Sequence, residues 1–335
     1  MKTTFDQELG RTSSLDRSDS WPASVHQFDV RSVWAIRAAL ASGRPLLVRG
    51  EPGVGKSQLA RAAAVVLQVP FLYQVINARC ECGDLLYSYD AVSRLAQAQV
   101  AGAGAARKAV HWEEQLDEVR FIKPGVLWWA FDWQSARQQS ARYCRPGPEP
   151  ARPKDWSPEQ GCVLLIDEID KAESDLPNGL LESLGNTGFQ VPQAGCSVLL
   201  PAGAAPPLVI ITTNEERELP AAFLRRCLVL QIKLPEAEGE LIKFLVHRAR
   251  AHFGDRVASE AVYHEAARQL LEDRQSTQGA GLARPGPAEY LDMMCALAEL
   301  YPREAGVSAK AQENAQLEAL KQIHEFALRK NPEGV

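Results

Sequence analysis

The chain has no apolar run approaching the roughly 20 residues that a bilayer-spanning helix needs, so no membrane insertion is expected. It has no excess of basic charge either. Its 37 Lys and Arg stand against 42 Asp and Glu, for a net charge of −5 at pH 7. That balance argues against wholesale coating of nucleic acid or an anionic membrane, and leaves room only for a local basic patch. Paired cysteines are lacking too: the seven are scattered, odd in number, and only Cys80 and Cys82 are close. No second pair and no histidine cluster stands at zinc-ligand spacing, so reduced thiols in a cytoplasm are the expectation. The opening residues 1–20, MKTTFDQELGRTSSLDRSDS, are polar and acidic, unlike a secretory signal, and read as a disordered tail. What is present is ordinary for a soluble globular protein. Hydrophobic residues make up 46% and charged residues 24% of 335 positions, enough for two domains and a large core.

One stretch organises the rest. In Pro45–Ser57, PLLVRGEPGVGKS, the apolar Leu46–Val48 reads as a short buried strand. Gly50, Gly55, Lys56 and Ser57 then fall in the spacing G-x-x-x-x-G-K-S, and Ser57–Gln68, SQLARAAAVVLQ, reads as a helix. Strand, glycine loop and helix is the context that a phosphate-binding loop requires. Glycines let successive N–H groups point inward at phosphate oxygens, and the helix N-terminus adds partial positive charge. Lys56 is the expected contact to the β- and γ-phosphates, and the Ser57 hydroxyl the expected Mg²⁺ ligand.

Around this stretch the coarse pattern is α/β. Trp21–Leu40 leads into the first strand, with Val30, Val33, Trp34, Ile36, Ala38 and Leu40 allowing an amphipathic helix, and Phe71–Ile76 reads as a second strand. Asp84–Val100 reads as a helix whose stripe Leu85, Tyr89, Val92 and Ala96 packs into the core, with 101–106, AGAGAA, as a flexible joint. Trp128 and Trp129 follow the break at Pro124-Gly125, with Arg137, Arg142 and Arg145 a short way on. Aromatics beside arginines are able to stack on bases; the plainer expectation is two buried tryptophans followed by a solvated, proline-rich loop, Arg145–Pro158.

Val163–Ile166 is a continuous apolar run, as in a parallel strand covered on both faces, and it ends in Asp167 and Glu168. A carboxylate at a strand's C-terminal end, in the same sheet as a phosphate loop, suits the Mg²⁺ shell, and its neighbour suits deprotonation of a water. Leu208–Asn214 is a further strand ending in a polar Asn214, and Cys227–Leu234 another; between them lies the short helix Leu219–Arg226. Five strands separated by helix or loop point to a parallel sheet. Beyond Glu236 the strand signal stops. Helical stretches near Glu238–His252, Ser259–Arg274, Pro287–Leu300 and Gln312–Arg329 follow, with a break at 279–286 that contains Arg284. The expected division is a tail at 1–20, an α/β domain at 21–235 and a helical domain at 236–335.

The succession GEPGVGKS, LLIDEID, TTN, LPAAFLRR and a helical C-terminal region resembles an AAA+ ATPase, and RPLLVRGEPGVGKSQLA with IDEIDKAESDLPNGLLESL is similar to the MoxR branch. The resemblance spans roughly Val25 to Leu300. It implies a P-loop NTPase αβα sandwich with a five-stranded parallel sheet plus a C-terminal α-helical lid domain, with ATP and Mg²⁺ as cofactors. It implies Walker A contacts from Gly50, Glu51, Pro52, Gly53, Val54, Gly55, Lys56, Ser57 and Gln58, and a Walker B pair in Asp167 and Glu168. Asn214 would polarise the attacking water as sensor 1. Arg226 would be the finger that reaches into a neighbouring subunit, and Arg284 the lid arginine. The usual finger sequence is closer to LPEAxLDRF; here Arg225 and Cys227 stand for Asp and Phe, so Arg225 competes with Arg226. The resemblance further implies a homo-oligomeric ring, most often a hexamer, and a client with a von Willebrand factor A domain. Two rivals stand beside remodelling of such a client: a nucleic-acid motor or nuclease partner, and an ATP-binding switch without turnover.

Overall fold

The computed structural model describes residues 12–18, 21–103, 112–276, 284–302 and 308–327. The apolar runs become strands β1 (Leu46–Arg49), β2 (Phe71–Val75), β3 (Val163–Asp167), β4 (Leu208–Thr213) and β5 (Leu228–Gln231), which form one sheet in the order β5-β1-β4-β3-β2. β4 runs parallel to both β1 and β3, and β2 runs parallel to β3. The parallel P-loop NTPase sheet expected from the sequence is therefore present. β3 is buried throughout Val163–Ile166 and β4 along its whole length, which is why both read as unbroken apolar runs. In-register pairing has a chemical consequence. Arg49 lies opposite Thr213, and Asp167 opposite Val75, so the C-terminal ends of the strands share one edge. Ligands of open α/β sheets bind outside that edge.

Helix α1 (Val30–Ser42) precedes β1, α2 (Lys56–Leu67) and α3 (Ala221–Arg226) lie between strands, and α4 (Glu238–Val257), α5 (Glu260–Ser276), α6 (Pro287–Leu300) and α7 (Ala309–Ala327) follow them. Among the described residues the chain forms two compact units. One takes in 28–49 and 57–230; the other takes in 12–27, 50–56 and the helices from 231 onward. The second unit has its own core, in which Leu245, Val262, Tyr263, Tyr290, Met293 and Leu297 are fully buried. The Tyr290 hydroxyl donates to the Tyr263 carbonyl at 3.1 Å, which satisfies the one polar atom that this ring carries inside.

The structure corrects the sequence reading in three places. Thr12–Leu15 is not tail: it pairs antiparallel with Ser24–Gln27, Leu15 is buried, and Gln27 contacts the imidazole of His247 at 2.6 Å. A lone hairpin is marginal in water, so such packing is what makes these residues ordered. The remainder of the expected tail, 1–11 and 19–20, lies outside the described residues, as do 104–106 of the expected joint and 279–283 of the expected break. Asp84–Val100 is not one helix. Cys82–Leu86 is a short helix, Tyr87–Tyr89 is a strand paired with Ile122–Pro124, and a new helix runs over Ala91–Ala103. Of the expected core stripe Leu85 is buried, but Val92 is 79% exposed. Asp90 divides the segment: its carboxylate accepts the Ser93 N–H at 2.9 Å and caps the second helix. Finally, Gly188–Val191 and Cys196–Leu199 form a hairpin that the sequence did not announce.

Trp128 and Trp129 are buried, 1% and 8% exposed, and so are closed to base stacking. Trp128 packs edge-on against Tyr87 and Phe189 and donates its indole N–H to Ser135 at 3.0 Å. Trp156, at the far end of the proline-rich loop, packs on Trp133 with ring centroids 4.7 Å apart and donates to the Gly161 carbonyl. Replacing Trp128 by alanine removes both packing and a satisfied polar edge. The expected cost is about 3–5 kcal/mol of stability, read as a fall in the urea midpoint at unchanged slope.

Candidate nucleotide-binding site

Three side chains from three strands and helices meet at the C-terminal edge of the sheet. Ser57, in the first turn of α2, donates its hydroxyl to Asp167 at 2.9 and 3.0 Å. Asp167 closes β3. Thr212, two residues before the end of the strand expected at Leu208–Asn214, donates to the same carboxylate and accepts the Glu168 N–H at 2.9 Å. The neighbouring strand thereby sets the position of both members of the acidic pair. Glu168 itself has φ of +60°, a left-handed backbone that costs a non-glycine residue about 1–3 kcal/mol and that clusters at working sites. This backbone turns it out of the strand direction.

The Glu168 carboxylate is held at both oxygens. Asn214 donates from Nδ2 to Oε1 at 3.3 Å, and Lys171 donates from Nζ to Oε2 at 2.7 Å. The Glu168 carboxylate in turn raises the Lys171 pKa, chiefly through that hydrogen bond. Asp170, 2% exposed, accepts the backbone N–H groups of Asn214 and Glu216, at 3.2 and 3.0 Å from Oδ2. It thus anchors the turn that presents Asn214. Ser57, Asp167, Glu168 and Asn214 were legible as candidates; Thr212, Asp170 and Lys171 were not. Thr212 falls in the run TTN and Asp170 and Lys171 in IDEIDKAESD, but nothing in those runs singled these three out.

The glycine loop, 50–56, belongs to the second unit and is braced there. A Cβ on Gly50 would lie 2.5 Å from the Ile232 carbonyl oxygen, and one on Gly53 (φ +75°) would lie 2.8 Å from the Ala288 methyl. Backbone approaches this close exclude any larger residue. Lys56 is 6% exposed and donates to the Gly50 and Glu51 carbonyls at 2.8 and 2.9 Å. Arg248 on α4 donates to the Val54 carbonyl at 2.9 Å, and Arg274 on α5 donates to Glu51 at 2.8 Å and to the Pro285 carbonyl at 2.7 Å. Pro52 offers its carbonyl to the neighbourhood of Gly286, and Gln58 lies half-buried in the first turn of α2. The loop thus gathers three cations, Lys56, Arg248 and Arg274, on its carbonyls and on the Glu51 carboxylate. Arg284, the arginine singled out in the sequence, is exposed; Arg248 and Arg274 make the polar contacts to the loop. They carry no motif, and only tertiary packing reveals them.

The residues fit Mg²⁺. Adjacent ligands of an octahedral ion at about 2.1 Å are roughly 3 Å apart, and Ser57 Oγ and the Asp167 oxygens stand at 2.9 and 3.0 Å. Among the described residues no group of three or more His, Cys, Asp or Glu is placed to hold a metal. An ion at Ser57 and Asp167 would therefore draw its remaining ligands from water and phosphate oxygens. Arg225 and Arg226 end α3, both exposed, and among the described residues neither guanidinium has a partner.

A parallel sheet in this strand order, with a glycine loop after β1 and an acidic pair after β3, defines an AAA+ P-loop NTPase. The profile of the AAA domain, dynein-related subfamily, matches residues 45–227, and the chain belongs to that family. Nucleotide binding is the common property of that family, and its members typically assemble into rings. Among curated proteins compared with the chain, none matches. Solved structures resemble it at low identity. A single-residue mutant of Thermotoga maritima RuvB is 15% identical over 82% of this chain and 69% of its own, with a TM-score of 0.39. The Thermotoga maritima RuvB Holliday junction branch migration motor is 14% identical over 89% and 84%, with a TM-score of 0.37. A presumed ATPase of Cytophaga hutchinsonii ATCC 33406 is 13% identical over 89% and 79%, with a TM-score of 0.34. No helix among the described residues is long and apolar enough to cross a membrane.

Proposed function

We propose that the chain is a Mg²⁺-dependent ATPase of the MoxR branch, working as a cytoplasmic homo-oligomeric ring, most simply a hexamer. Its output would be remodelling or maturation of a partner protein, with a von Willebrand factor A domain protein as the kind of client. The observation that carries the catalytic part is the cluster of Ser57, Asp167, Thr212, Glu168 and Asn214 at one sheet edge. The N–H groups of 50–56 and the Lys56 ammonium would hold the β- and γ-phosphates, the ammonium exchanging the Gly50 and Glu51 carbonyls for phosphate oxygens. Lys56 and Ser57 are peptide neighbours, so Ser57 and Asp167 lie next in line to hold the ion. Mg²⁺, when bound, would neutralise charge developing on the phosphate oxygens. Glu168 would orient a water and take its proton at a carboxylate oxygen, and Asn214 would fix that carboxylate from the other side. Arg226, reaching from a neighbouring subunit, would complete the charge stabilisation.

The MoxR assignment and the client rest on the motif runs quoted above. A pull-down with the Glu168→Gln variant in ATP, read by mass spectrometry, tests the client: enrichment of a von Willebrand factor A domain protein supports it, and enrichment of nucleic-acid enzymes instead overturns it. The ATP-binding switch keeps one observation in its favour, the Lys171 ammonium seated on Glu168. An ammonium there competes with the attacking water for the carboxylate oxygen. Replacing Lys171 by alanine is therefore expected to raise basal ATP turnover several-fold in a steady-state phosphate-release assay. Unchanged or lower turnover would show that this pair is no restraint on the base.

A further inference from the structure

Arg44 lies in the turn between α1 and β1, at the start of the run RPLLVRGEPGVGKSQLA but outside its phosphate loop. Its guanidinium gathers three consecutive carbonyls at the C-terminal end of α3. Nε donates to the Arg226 carbonyl at 3.1 Å, and Nη2 donates to the Arg225 and Cys227 carbonyls at 2.5 and 3.1 Å. The next residue along each segment continues the lacing, since the Leu228 N–H donates to the Pro45 carbonyl at 2.8 Å. The last carbonyls of a helix have no partner within it and carry its partial negative charge, so a planar, permanently charged fork fits them well.

This contact matters because α3 is short. Six residues from Ala221 to Arg226 form too little helix to be stable alone. One side is fixed by burial of Phe223 and, just past the end, Cys227. The exposed side presents Arg225 and Arg226, and the backbone that carries both is the backbone Arg44 holds. We propose that Arg44 is a positioning residue for the finger: it fixes the direction in which Arg226 leaves its own subunit, and so governs hydrolysis in the neighbouring subunit and not in its own. The inference rests on the reading of Arg226 as a finger acting in trans.

The test uses the full-length chain and ATP. Arg44→Ala is expected to bind a fluorescent ATP analogue as wild type does, yet to lose turnover by about 10²-fold, the order that a small misplacement of a catalytic group can cost. Arg44→Lys keeps the charge but not the fork, and falls between. A merely structural role would give the same losses, so the deciding readout is complementation. Arg44→Ala mixed with Lys56→Ala should recover turnover, because one subunit supplies an intact loop and the other a correctly held finger. Arg44→Ala mixed with Arg226→Ala should recover none, because every interface lacks a working finger. Recovery in the second mixture, or failure of the first while Lys56→Ala with Arg226→Ala succeeds, overturns the role of Arg44. Failure of that reference pair, with mixed assemblies seen by native mass spectrometry, overturns the trans reading and this inference with it. Should Arg44→Ala melt early, the same mixtures made with Arg44→Lys decide between these outcomes.

Discussion

Arg226→Ala is expected to bind ATP and to turn it over at least about 10³-fold more slowly than wild type, the lower end of what a finger arginine contributes. Its guanidinium is exposed and without a partner among the described residues, at the end of a helix separate from the Ser57–Asp167 cluster. Lys56→Ala should be inactive for a different reason: it loses the ammonium that sits on the loop carbonyls and would hold the phosphates. Mixing the two inactive proteins should restore part of the turnover, because some interfaces then combine an intact loop with an intact Arg226. The restored fraction should follow mixing ratio and protein concentration. If mixed assemblies form and no mixture turns over ATP, Arg226 does not act across an interface. Repeating the mixture with Arg225→Ala identifies which of the two adjacent arginines is the finger.

Glu168→Gln is expected to keep ATP affinity and lose turnover by about 10²-fold or more, some 2.7 kcal/mol on the barrier. Glutamine keeps the shape and retains an acceptor for the Asn214 amide, but it cannot accept a proton from water. It also loses the charge that holds Lys171 at 2.7 Å, so Lys171 should become mobile in the variant. Wild-type turnover in Glu168→Gln would remove this residue from the chemistry. An equal loss of ATP binding would mean that its role is to hold the nucleotide.

The parts of the molecule that the sequence made legible are those whose signal is local. The phosphate loop is a run of adjacent residues, and β3 and β4 are buried on both faces, so their apolar runs needed no knowledge of partners. The acidic pair and Asn214 were visible because each ends such a run. What stayed hidden depends on distant pairing. Tyr87–Tyr89 is a three-residue strand whose partner, Ile122–Pro124, lies more than thirty positions on, so its alternation was absorbed into a helical count. Val92 then fell on the wrong side of that count and is exposed. The hairpin at Gly188–Val191 and Cys196–Leu199 is equally short, with its turn at Pro192–Gly195. At the site, Thr212 was hidden because a threonine in a strand carries no signal until the neighbouring strand brings Asp167 beside it. Arg248, Arg274 and Arg44 are ordinary helix or turn cations in the sequence. Their roles come from the backbone carbonyls and the carboxylate they meet, which no spacing encodes.

The central claim is that this chain hydrolyses ATP with groups shared between subunits. The measurement that tests it most directly is phosphate release by the purified wild-type protein across a wide range of protein concentration, with Mg²⁺ and with excess chelator. Turnover per subunit should rise as assembly proceeds, vanish without Mg²⁺, and be nearly absent from Glu168→Gln under the same conditions. Turnover per subunit that is constant from monomer to assembled protein, or no higher in wild type than in Glu168→Gln, would contradict it.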